Sequence, residues 1–124
     1  MRTALVIEDN EDNMVLICRL LDKANYHALQ AFTGKQGVDM ARKEKPDFIL
    51  LDIQLPDIDG TEVLRQIRTE ESIATIPVIA MTSYAMAGDR ERLLAAGCNG
   101  YIEKPIDPMR VIAQIQGMLG GVAT

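Results

Sequence analysis

The 124 residues amount to one domain, and with 48% of them hydrophobic the chain can bury a core that needs no disulfide or metal staple. Thirteen basic against eighteen acidic residues leave a net charge of −5, which argues against the broad basic face that nonspecific nucleic-acid or anionic-membrane binding requires. Cys18 and Cys98 belong to no CxxC pair and His27 is the only histidine, which argues against a zinc site or a Cys/His nucleophile and fits reduced cysteines in a cytoplasmic protein. The apolar run after Arg2 stops at Glu8, too short for a signal-peptide core, and no stretch approaches the roughly 18 apolar residues of a membrane span.

In chain order, the pattern predicts a strand near 3–7 and a helix near 11–24, with Met14, Ile17, Leu20 and Leu21 on one face. A strand near 27–31 leads into Thr33-Gly-Lys-Gln36, a capping-box pattern that opens a helix near 34–44. Phe48-Ile49-Leu50-Leu51 is apolar at every position, as in a strand buried on both faces, and sets a strand near 47–51. Asp59-Gly-Thr-Glu62 repeats the capping pattern before a helix near 60–70, whose inner face carries Val63, Leu64 and Ile67. A strand near 77–81 comes next, then the weakest helix, near 84–96. It holds Gly88 and the polar run Asp89-Arg90-Glu91-Arg92, and reads as a solvated surface helix, as a loosely held element able to shift, or as both. A short strand near 99–102 precedes Asp107-Pro108, an N-cap followed by proline at the first helical position, and a helix near 107–119 along Val111, Ile112, Ile115 and Leu119.

Five strands alternating with five helices imply an α/β three-layer sandwich around a parallel sheet. Residues 1–124 are expected to form a single domain with no output domain. Met1 beside the first strand and the short Gly120–Thr124 tail favour a complete small protein.

In open parallel sheets, ligands bind at the carboxyl ends of the strands where the strand order reverses. Here the first strand delivers Glu8 and Asp9, the third Asp52, the fourth Thr82 and Ser83, and the fifth Lys104 and Pro105. Three carboxylates crowd one edge only if something neutralises them, because like charges raise one another's pKa. Mg²⁺ suits the task, since it takes few carboxylates and keeps waters and phosphate oxygens as its other ligands. Lys104 supplies a point charge for Asp52 or for a phosphoryl oxygen, Thr82 a hydroxyl donor and Ser83 a backbone amide. Asp52 then reads as a nucleophile that attacks phosphorus, with positioning and charge neutralisation supplying the catalysis. Taken singly, these residues are bland: a carboxylate after a strand is a turn or cap residue, Glu8-Asp9-Asn10 suits a helix N-terminus, and Lys104-Pro105 is a loop. Their joint placement at the ends of four strands favours the functional reading.

Four segments carry a resemblance over the whole chain: Val6-Ile7-Glu8-Asp9-Asn10, Leu51-Asp52-Ile53-Gln54-Leu55-Pro56-Asp57-Ile58-Asp59-Gly60, Ala80-Met81-Thr82-Ser83 and Tyr101-Ile102-Glu103-Lys104-Pro105. With them the sequence resembles the response-regulator receiver domains of two-component systems, close both to small single-domain regulators of the DivK type and to receivers of hybrid kinases. The resemblance implies a flavodoxin-like, chemotaxis-regulator-like fold with sheet order 2-1-3-4-5. It makes Glu8 and Asp9 the metal-binding acidic pair, Asp52 the phosphoacceptor and a metal ligand, and the backbone carbonyl of Gln54 a further ligand. It makes Thr82 and Lys104 the phosphoryl-binding pair, Tyr101 the aromatic switch, and Lys104-Pro105 the site of a cis peptide bond. Ser83 stands where alanine is common, and Gln54 and Tyr84 occupy positions that tune phosphoryl lifetime.

The function implied is acceptance of a phosphoryl group from a phosphohistidine of a sensor histidine kinase or histidine phosphotransfer protein. The chain would assist its own phosphorylation and dephosphorylation without being an enzyme in the ordinary sense. Output would pass to a protein target through the face of the fourth helix, fifth strand and fifth helix, with no nucleic acid or membrane partner. Two other classes compete: a phosphorylation-independent adaptor, and a small-phosphoester hydrolase. Against the hydrolase, Gln54 stands where its second acid would be, and no cap domain is present.

Overall fold

A computed structural model describes residues 2–83 and 87–120, with the side chains of residues 87–89 outside the description. Its elements are β1 (Arg2–Ile7), α1 (Glu11–Lys23), β2 (Tyr26–Ala31), α2 (Gly34–Glu44), β3 (Phe48–Asp52), α3 (Gly60–Thr69), β4 (Val78–Thr82), α4 (Ala87–Ala95), β5 (Gly100–Glu103) and α5 (Val111–Gly120). All strand pairs are parallel, in the order β2-β1-β3-β4-β5 expected for the receiver fold.

The period-2 alternation of the strands divides the core in two. Ala4, Val6, Phe48, Leu50, Ile79 and Met81 face the layer of α1 and α5, where Met14, Ile17, Ile115 and Leu119 cover them. Leu5, Ile7, Ile49, Leu51, Val78 and Ala80 face the other layer, beneath Val38, Val63, Leu64, Ile67 and Leu93. β3 and β4 are buried at every position, which explains their unbroken apolar reading. Truncating a residue as enclosed as Leu50 to alanine should cost about 2–5 kcal/mol.

Helix starts follow the predicted caps with three differences. Thr33 accepts from Gln36 N, but the Gln36 side chain reaches back to Phe32 N. Asp59 accepts from Thr61 N, whereas Glu62 turns forward to Arg65 and Gln66, so the second box is only half made. The last helix begins at Val111 rather than 107. Asp107 caps as expected, its Oδ1 accepting from Met109 N and its carbonyl from Arg110 N and Val111 N, but residues 108–110 form a single turn before the helical ladder begins. Both cysteines are free, Cys18 half-buried and Cys98 buried.

Candidate functional site

The order β2-β1-β3 reverses the direction of winding between β1 and β3, and opens a crevice at their carboxyl ends. Ile7 lies beside Leu51 and Asp52 beside Met81, so Glu8 and Asp52 emerge side by side. The ladder continues one residue past the strands, with Glu8 N donating to Ala31 O, Ile53 N to Met81 O and Lys104 N to Thr82 O. The residues at the rim are thus fixed by the sheet and not by free loops.

At this edge the Lys104 ammonium lies between two carboxylates. Its Nζ is 3.0 Å from Asp52 Oδ2 and 3.2 Å from Glu8 Oε2. Asn13 Nδ2 donates to Glu8 Oε1 at 3.0 Å, and Gln54 N donates to Asp52 Oδ1 at 2.9 Å. Glu8 and Asp52 are fully enclosed, at 0% and 1% exposure, while Asp9 faces solvent. One oxygen from each of Glu8, Asp9 and Asp52 lies within 4.8 Å of the others.

The electrostatics reflect this crowding. Burial, with the contact to Asp52, pushes the Glu8 carboxyl up to about 7, only partly opposed by Asn13 and Lys104. Burial also disfavours the Lys104 ammonium, but the hydrogen bond and charge of Asp52 and the charge of Glu8 outweigh it and hold the group above its ordinary range. One ammonium cannot offset three carboxylates, and the surplus is negative, all oxygen and open on the Asp9 side. That donor set fits Mg²⁺, which binds few carboxylates and retains water.

The other predicted residues surround this cluster. Thr82 is buried as the last residue of β4, and Ser83 follows it at the surface. Tyr101 is half-buried on β5, with the Arg90 guanidinium 4.8 Å from its ring centre. Lys104-Pro105 is cis. Tyr84 lies outside the described residues. Two residues to which the sequence assigns no role also stand here. Asn13 sits one turn into α1 and had as its only signal a polar residue soon after the acidic pair. Asp57, in the loop after β3, accepts from Gly34 N and Lys35 N at the start of α2.

The sheet of this order carries an acidic, lysine-bridged crevice at its switch point, and residues 4–116 match the response regulator receiver domain: the chain belongs to that family of signalling modules. It is 42% identical over 119 residues to the polar-differentiation response regulator DivK of Brucella ovis, covering 96% of this chain and 97% of that one. Among solved structures it is similar to the receiver domain of a sensor histidine kinase from Pseudomonas aeruginosa PAO1, which has a magnesium ion coordinated in its active-site cleft. That match has 35% identity, a TM-score of 0.86, and covers 96% of this chain and 98% of the other. The fold also matches the chemotaxis response regulator CheY4 of Vibrio cholerae, with a TM-score of 0.91 at 22% identity over 95% and 98% of the two chains.

Proposed function

We propose that Asp52 accepts a phosphoryl group from a phosphohistidine of a sensor histidine kinase or histidine phosphotransfer protein, in a reaction that requires Mg²⁺. The observation that carries this reading is the Lys104 ammonium held 3.0 Å from a buried Asp52 carboxylate at the switch point of the sheet. A carboxylate oxygen of Asp52 forms the new O–P bond as the donor's P–N bond breaks, and that electron pair leaves with the imidazole. Glu8, Asp9, Asp52 and the Gln54 backbone carbonyl would hold Mg²⁺, which when bound neutralises charge on the carboxylates and phosphoryl oxygens. Lys104, the Thr82 hydroxyl and the Ser83 amide bind the phosphoryl oxygens. The same groups let the chain assist its own phosphorylation and dephosphorylation.

Thr82 and Tyr101 couple the new charge to the face of α4, β5 and α5. Thr82 follows the phosphoryl oxygen and Tyr101 turns inward, a population shift driven by contacts that only the phosphorylated state makes. A cavity of about 310 Å³ on this face, lined by Tyr101, Glu103, Gln114 and Met118, suits a downstream protein. Residues 4–116 act as one receiver unit that signals by docking.

The test is incubation with acetyl phosphate, with and without Mg²⁺, followed by intact mass beside Asp52→Asn. A single Mg²⁺-dependent adduct absent from the variant is expected. No adduct under any condition would favour a phosphorylation-independent adaptor.

A further inference from the structure

The loop between β3 and α3 is closed at its base, where Gly60 N donates to Ile53 O, and Asp59 caps its own helix through Thr61 N. Those bonds lie within one β3–loop–α3 unit, while Leu55 and Ile58 pack the loop against the core. Asp57 adds a polar tie from the loop to α2. Its Oδ1 accepts from Gly34 N at 2.8 Å and its Oδ2 from Lys35 N at 3.1 Å. Thr33 already caps Gln36 N, so Asp57 satisfies the first two amides of α2 that its own cap leaves over. A carboxylate is also the favoured charge at that end of the helix dipole. The approach is close enough that a Cβ at Gly34 would lie 2.5 Å from Ile58 Cγ1, so a side chain there would force Ile58 to shift.

We infer that Asp57 is a positioning residue for the cation site. By fixing the tip of the loop to α2, it sets the placement of Gln54, whose amide orients Asp52 Oδ1 at 2.9 Å and whose carbonyl is assigned to Mg²⁺. This rests on the metal-ligand assignment given above. Asp57 touches neither phosphoryl group nor cation. It acts through backbone geometry, as outer partners of metal ligands do.

Calorimetric titration with Mg²⁺ alone tests this on the wild type, Asp57→Ala and Asp57→Asn. The alanine variant should need about fivefold more Mg²⁺ for half-saturation, the scale of a lost carboxylate cap. The asparagine variant, which keeps one acceptor, should fall between and carries the comparison if the alanine variant does not fold. With acetyl phosphate, adduct formation should return to the wild-type rate at saturating Mg²⁺. Unchanged half-saturation in both variants, even with a lower melting temperature, would reduce Asp57 to a structural cap and overturn the inference. An adduct in the wild type with unchanged half-saturation sinks only the positioning role. Weakened Mg²⁺ binding with no adduct in any protein sinks the phosphoacceptor reading and leaves the positioning role standing.

Discussion

The two ends of the sheet hold charge in opposite ways. At the amino end of β4 and β5, the Arg68 guanidinium donates to the carbonyls of Gly97, Ala74 and Ile76 and to Asn99 Oδ1. Asn99 Oδ1 also accepts from Val78 N, so the cluster ties α3, β4 and the turn before β5 together with ordinary dipoles. At the carboxyl end, Glu8 and Asp52 share the Lys104 ammonium with the Asp9 carboxylate close by, and negative charge is left over. A charge matched by local dipoles is architecture. A buried charge left unmatched is a site, because it binds whatever supplies the missing charge.

Lys104→Met strikes the unmatched end hardest. Removing a preorganised cation should slow adduct formation from acetyl phosphate by about 10²-fold or more, read as intact mass against time. A rate within twofold of wild type would mean that Lys104 only balances the resting site.

Arg68→Met strikes the matched end. Leaving carbonyls without a charged donor should cost about 2 kcal/mol in urea unfolding while phosphorylation proceeds at the wild-type rate. A parallel loss of phosphorylation would erase the distinction between the two ends.

A smaller effect follows from Glu8, raised from 4.5 to about 7. A carboxyl with a raised folded-state pKa adds stability in full below the lower value, and that stability is lost as pH rises through the higher one. The melting temperature without Mg²⁺ should therefore fall between pH 4.5 and 7, and saturating Mg²⁺ should flatten the decline. Asp57, whose carboxyl is lowered by the backbone amides of Gly34 and Lys35, loses its contribution on the acid side of that window. A flat profile without Mg²⁺ would contradict the crowding at Glu8. The smallest change should come from Arg65→Ala, which breaks an exposed pair with Glu62 that solvent screens and should leave the unfolding midpoint where it was.

What could be read from the sequence was local or periodic. Phe48–Leu51 announced a strand covered on both faces, and the acidic, hydroxyl and lysine residues stood at recognisable strand ends. What could not be read was pairing across long separations. Lys104 was expected opposite Asp52, but its simultaneous hold on Glu8 depends on the register of β1 against β3. Asp57 reaches an amide 23 positions away, and Arg68 an asparagine 31 positions away. Neither spacing leaves a mark in a linear pattern. The start of α5 was misplaced for a local reason, since an Asp-Pro cap looks the same whether it opens a helix or a single preceding turn.

The most direct measurement is the location of the phosphoryl group. Borohydride reduces an aspartyl phosphate to homoserine, so treating the phosphorylated chain and mapping its peptides marks the nucleophile. Homoserine at position 52 alone is the expected result. Modification at Glu8 or Asp9, or phosphate retained on Thr82 or Ser83 with Asp52 unchanged, would contradict the assignment of Asp52 as the acceptor.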